Sequence, residues 1–143
     1  MLFRSRAKEL VKRGIPVFST PSLQAFLVKD YHLEDFLLNP GLLDIFANLD
    51  DSDISVSVKQ WSIHPDSILA DLSQRLLNRK LFKILMQKEP FSPDFLSRKM
   101  ELIRQHYVFN DERDLDYYFV KGKVINNAYN TLHDRIYILQ KDG

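Results

Sequence analysis

The stretch "SQRLLNRKLFKILM", residues 73–86, decides the fold class. Just before and within it, Ile68, Leu69, Leu72 and Leu76 recur at helical spacing, the buried stripe of a helix that starts near Pro65. From Leu81 the pattern changes: "LFKILM" has the length and apolar character of a short strand. Four cations, Arg75, Arg79, Lys80 and Lys83, are threaded through this junction. Either they grip a phosphate, or they are the wet face of an otherwise buried segment.

Toward the N-terminus the pattern is helical throughout. Phe3, Ala7, Leu10 and Val11 share a face of the first dozen residues, with cations around the rest, and Gly14 and Pro16 end that helix. "TPSLQAFLV" offers Thr20 as N-cap and Pro21 at the first helical position. "HLEDFLLNPGLLDIFANLDD" reads as two short helices broken at Asn39-Pro40-Gly41. Asp50 or Asp51 caps the next, whose core face is Ile54, Val58 and Trp61.

Toward the C-terminus, Ser92-Pro93-Asp94 starts a long amphipathic helix carrying Leu96, Met100 and Ile103. The tail segments "DYYFVKGKVINNAY" and "RIYILQ" are rich in aromatic and β-branched residues and predict two strands. The expected fold is therefore α+β. About five short helices occupy residues 1–79, packed on Phe3, Leu10, Ile54, Trp61, Leu69, Leu72 and Leu76. Residues 80–143 form a small subdomain: strands 81–86, 117–125 and 135–140 make an antiparallel-containing sheet, with the helix from 93 to about 106 lying on it. The first helix has no N-cap and the last strand runs straight into a turn, so the chain is expected to be a piece of a longer protein.

With 143 residues the chain is long enough to close one core. It has no apolar run near the roughly 20 residues of a membrane span and no apolar signal-peptide region behind its basic start. The absence of cysteine excludes disulfides and thiolate metal sites and suits a reducing, cytoplasmic setting. A net charge of +1 sets up no global field toward nucleic acid. The local distribution is uneven. Residues 29–53 hold seven acids against Lys29, whereas residues 75–88 hold five cations and no acid. Alternating segments of this kind pair within a fold or leave one basic segment free for an anion.

Reactive constellations are missing. None of His32, His64, His106 and His133 has a second histidine at i+3 or i+4, as a helical metal site would use. His133-Asp134 opens an expected strand and reads as a turn. The glycines, at 14, 41, 122 and 143, build neither a phosphate loop nor a dinucleotide fingerprint, and no nucleophile elbow occurs. Asp50 and Asp51 read as caps, while Trp61 and Tyr117-Tyr118-Phe119 read as core packing. No catalytic residue and no metal ligand is assigned.

Taken together, "LDDSDISVSVKQWSIHPDSILADLSQRLLNRKLFKI" resembles the region after the catalytic core of HD-domain phosphohydrolases. The branch it most resembles contains the SAM and HD domain-containing deoxynucleoside triphosphate triphosphohydrolases and their bacterial relatives. The resemblance is carried by "LDD" opening a helix, a one-helix spacer and "NRKLFK" at 78–83, which matches that family's Arg-x-Leu-[Phe/Tyr]-Lys segment. "RAKELVKRG" and "YYFVKGKVINNAY" extend it over nearly the whole chain.

The family's H…HD…D metal site belongs upstream of this stretch and is absent from it. The resemblance thus implies a non-catalytic, regulatory or oligomer-assembly part of an HD-type (deoxy)nucleotide phosphohydrolase, with residues 1–79 continuing an upstream HD-type core. It implies a divalent metal in the parent enzyme and no cofactor in this stretch. The implied partners are the upstream HD domain, further copies in a homo-oligomer and a nucleotide activator, but no membrane and no nucleic acid. In nucleotide-regulated members the Arg and Lys of the motif contact activator phosphates at a subunit interface; here these are Arg79 and Lys83. The other reading is a stand-alone module that binds protein or nucleic acid through its basic helices.

Overall fold

A computed structural model describes residues 2–109 and 111–123. Its elements are α1 (Leu2–Lys12), α2 (Pro21–Val28), α3 (Leu33–Leu38), α4 (Gly41–Ala47), α5 (Asp51–Trp61), α6 (Ser67–Leu77), α7 (Pro93–His106) and a 3-10 turn, Glu112–Tyr117. No helix among them is long and apolar enough to cross a membrane.

Local chemistry starts most of these helices. Thr20, Asp50, Asp66 and Ser92 accept hydrogen bonds from the first-turn amides of α2, α5, α6 and α7, and Asp50 and Asp53 close a reciprocal capping box. Packing then gathers them. Ala7 and Leu10 of α1, Leu23 and Leu27 of α2, Val58 and Trp61 of α5 and Leu69 of α6 form the buried core, with Phe3 and Ile54 packed against it. Trp61 is fully enclosed, and its indole N–H donates to the Phe18 carbonyl at 2.7 Å, so its polar edge is satisfied. Leu72 is also buried, but Leu76 is exposed, so the stripe of α6 leaves the core one turn early.

Two helices end in the same way. At α1 the Ile15 amide reaches back to the Leu10 carbonyl and that of Gly14 to Val11, both at 3.0 Å, with Gly14 at φ +75°. At α6 the Lys80 amide bonds the Arg75 carbonyl at 2.8 Å and the Arg79 amide bonds Leu76 at 3.2 Å, with Arg79 at φ +54°. Both are left-handed terminal turns that use the otherwise orphaned last carbonyls. A non-glycine residue at positive φ brings its β-carbon against the backbone, at a cost of about 1–2 kcal/mol. Among the described residues Arg79 alone bears that cost.

Among the described residues the expected sheet is not there. The fold of the described residues is all-helical, with six helices before residue 79 and no strand after it. Residues 81–86 are an open, exposed segment with no ladder hydrogen bonds, and residues 117–123 hold the end of the 3-10 turn and coil. Residues 124–125 and 135–140 of the expected strands lie outside the described residues.

Two physical reasons account for the difference. A strand exists only through a partner, and the ring of Phe82 is turned instead toward Tyr118, edge-on at 6.0 Å. Further on, Asp111 accepts from the Arg113 amide at 2.9 Å and Asp114 accepts from the Asp111 amide at 3.2 Å. That local capping box holds residues 112–117 in a 3-10 turn instead of an extended strand.

Candidate functional site

The C-terminus of α6 sorts the four cations into two groups. Arg75 belongs to the fold. Its Nε donates to Asp71 at 2.7 Å, one turn back, and its Nη2 donates to the Tyr107 hydroxyl. Its guanidinium lies over Phe82 at 5.1 Å and Tyr107 at 5.9 Å. Tyr107 in turn stacks on Tyr118 at 4.1 Å. Arg75 is thereby the cationic centre of an aromatic cluster that fastens residues 107–118 to α6. The bond to Asp71 holds the Arg75 guanidinium above its ordinary value. Burial first, then the Asp71 charge, pushes the Tyr118 hydroxyl up, and burial does the same to Tyr107. None of these groups is free for a ligand.

Arg79, Lys80 and Lys83 are different. All three are exposed, and none makes an ion pair or side-chain hydrogen bond with a described residue. Asp50 and Asp51, which could have locked Arg79, do not: the Asp50 carboxylate accepts from the Ser52 amide at 2.7 Å and from Asp53 at 3.2 Å. Arg79 stands at the negative end of the α6 dipole, where a cation is favoured by about 0.3–1 kcal/mol. Its left-handed backbone ends the helix, and the open segment that bears Lys83 follows directly in the chain. A forked guanidinium and a point-like ammonium four residues apart match the two ways in which proteins hold phosphate oxygens.

Among the described residues the most constrained charge lies elsewhere, and the sequence reading missed it. Arg6 is 4% exposed. Its Nε and Nη2 grip Asp66 at 3.1 and 2.7 Å, and its Nη1 reaches Glu9 at 3.1 Å and Asp114 at 2.9 Å. Tyr117 stacks beside it, 5.3 Å from the guanidinium, and donates its hydroxyl to Glu9 at 2.6 Å. Arg13 pairs with the other Glu9 oxygen.

Burial raises the Glu9 carboxyl, but the Tyr117 hydroxyl and the Arg6 and Arg13 charges outweigh it and hold Glu9 below the usual carboxylate range. Asp66 is likewise lowered: burial opposes, yet its bonds from Arg6 and the Leu69 amide prevail. Tyr117 is pushed up to about 12 by burial and by its bond to Glu9. This cluster joins α1, the start of α6 and the 3-10 turn. Four of the five Arg6 N–H groups are bonded to carboxylates, and burial closes the guanidinium to a ligand. One signal was legible: position 6 lies between Phe3 and Leu10 on the face that carries Ala7, so a cation there must be buried or bent away.

The histidines do structural work where they are described. His64 Nδ1 accepts from the Asp66 amide at 3.0 Å, and its Nε2 lies 3.0 Å from the Pro16 carbonyl, so the tautomer with the proton on Nε2 satisfies both. The His32 amide bonds Asp35 at 2.8 Å in the α3 capping box, and His106 packs edge-on to Tyr107. His133 and Asp134 lie outside the described residues. Among the described residues no group of histidines and carboxylates is placed to hold a metal ion.

No protein-family model matches the chain, and no curated protein does. Among solved structures, a phosphohydrolase from Bacteroides thetaiotaomicron matches with a TM-score of 0.72 and 37% sequence identity. This chain is similar to part of a phosphohydrolase. The match covers 78% of this chain and 28% of that one, so the chain spans little more than a quarter of that phosphohydrolase's length.

Proposed function

We propose that this chain is the non-catalytic, regulatory or oligomer-assembly part of an HD-type (deoxy)nucleotide phosphohydrolase. In this reading Arg79 and Lys83 contact phosphates of a nucleotide activator at a subunit interface. Residues 1–79 continue an upstream HD-type core, which carries the divalent metal and the hydrolytic chemistry. The described residues of this chain offer no ligand set for that metal. The likeness to about a quarter of a phosphohydrolase supports the family reading.

The observation that carries the site is Arg79 itself. A residue that glycine would replace at lower energy is kept as arginine, in a left-handed turn, with its head exposed and unpaired among the described residues. Strain tolerated at an exposed cation is explained when the cation has a ligand.

The test is calorimetric titration of deoxynucleoside triphosphates into the chain at low salt, with Arg79→Ala and Lys83→Ala alongside. Binding that each substitution weakens about tenfold or more, with melting unchanged, is the expected result; charge-assisted phosphate contacts are worth about 1.5–3 kcal/mol each. Binding that is absent, or equal in all three proteins, removes Arg79 and Lys83 from the site. The stand-alone interaction module gains no specific observation, and a net charge of +1 argues against nucleic acid.

A further inference from the structure

The arm that follows α6, residues 80–88, is exposed at every position. Among the described residues, 81–91 make no backbone–backbone hydrogen bond, so main-chain pairing does not hold the arm in place. One side chain does. Phe82 is 38% exposed, against 76% for Leu81 and 78% for Ile84. The Arg75 guanidinium lies over its ring at 5.1 Å, and Tyr118 meets the ring edge-on at 6.0 Å.

That seat is itself fixed. The Arg75 Nε donates to Asp71 at 2.7 Å and its Nη2 to the Tyr107 hydroxyl, while Tyr107 stacks on Tyr118 at 4.1 Å. The walls around Phe82 therefore come from α6 and from the segment 107–118, and are bonded to each other independently of the arm.

Phe82 stands in the chain between the two cations assigned to phosphate. Arg79 is fastened to α6 by its terminal turn, where the Arg79 and Lys80 amides bond the Leu76 and Arg75 carbonyls at 3.2 and 2.8 Å. Lys83 is exposed and has no such bond. Without an anchor its ammonium would range over every conformation open to residues 80–82, and a ligand needing both cations would bear the cost of ordering them. With Phe82 seated, Lys83 follows directly from a fixed point.

We propose that Phe82 is a positioning residue: seated against Arg75 and Tyr118, it holds Lys83 in place for the anion that Arg79 grips. This role rests on the phosphate reading of Arg79 and Lys83 given above, and adds to it an uncharged residue that acts only through Lys83. It also makes the segment 107–118 a support of the phosphate site, since Tyr118 is one wall of the seat.

The test is calorimetric titration of inorganic tripolyphosphate into the 143-residue chain at low salt, a probe with no base or sugar to add contacts of its own. Phe82→Ala removes no charge, yet should weaken binding about three- to tenfold, the cost of ordering what the ring had held. Phe82→Tyr keeps the ring and should bind as the wild type does. In a Lys83→Ala background, Phe82→Ala should have no further effect, because no ammonium is left to place. A ring that merely supported the fold would weaken binding in that background too, and thermal melts check that each variant is folded.

Binding that Phe82→Ala leaves unchanged, or weakens equally with and without Lys83, overturns the positioning role and leaves the phosphate site standing. Failure of the wild type to bind, or binding indifferent to Arg79→Ala, overturns the phosphate site and the role of Phe82 with it.

Discussion

Arg6 and Arg79 carry the same guanidinium in opposite circumstances. Arg6 lies in regular helix, buried, with its fork divided among Asp66, Glu9 and Asp114. Arg79 lies in a strained turn, exposed, with no ion pair among the described residues. The first is expensive to lose and is closed to a ligand by its burial. The second adds little to the fold and has its whole fork to spare. Structural and binding cations are told apart by what their partners already hold, and by whether the backbone is at ease.

The sharpest way to break this contrast is to remove Arg6. Arg6→Met strands the Asp66, Asp114 and Glu9 carboxylates in a partly buried site without their cation, and should lower unfolding free energy by about 3–5 kcal/mol in urea titration. A loss below about 1 kcal/mol would put Arg6 on the same footing as an exposed arginine.

Acid tests the same cluster from the carboxylate side. Glu9 and Asp66 have folded values below their unfolded ones, so they contribute stability that is full above the unfolded carboxylate range. That stability fades as pH falls from there through the lower folded values. Trp61 fluorescence should therefore report acid unfolding of the wild type in that window. Arg6→Met should have a flatter pH dependence, and Arg79→Ala should follow the wild type.

The twin helix ends sharpen the contrast at smaller scale. Gly14→Ala places a β-carbon at φ +75° and should cost about 1–2 kcal/mol. Arg79→Gly should do the reverse, raising stability by up to about 1 kcal/mol while removing the proposed phosphate contact. A less stable Arg79→Gly protein would show that the side chain supports the fold. The smallest effect belongs to Arg79→Ala, which keeps the strained turn and should stay within about 0.5 kcal/mol of wild type in thermal melts.

What the sequence disclosed was local. Thr20, Asp50 and Ser92 announce helix starts because a side-chain oxygen two or three residues from a free amide needs no tertiary help. Gly14 announces an end for the same kind of reason. Arg79 does not, although its turn has the same hydrogen bonds, because nothing in an arginine advertises a positive φ.

The strand reading of 81–86 failed for want of a partner, since apolar character fits an uncovered arm as well as a sheet. Arg79 and Lys83 were legible as cations at a helix end, and their exposure needed coordinates. Arg6 was counted among the cations around the first helix, because its decisive partner, Asp114, stands 108 positions away.

That separation also dictates an order of assembly. Asp66 and Glu9 engage Arg6 when α1 and the start of α6 meet, whereas Asp114 and Tyr117 stand 108 positions from Arg6 and Glu9 in sequence. Bringing such distant positions together carries the larger entropic cost, and contacts of this span form after local ones have made the chain compact. On a ribosome, the helices of the first 77 residues can therefore gather before the arrival of Asp114 and Tyr117 completes the Arg6 cluster. Destabilising substitutions in that late contact should speed unfolding more than they slow folding.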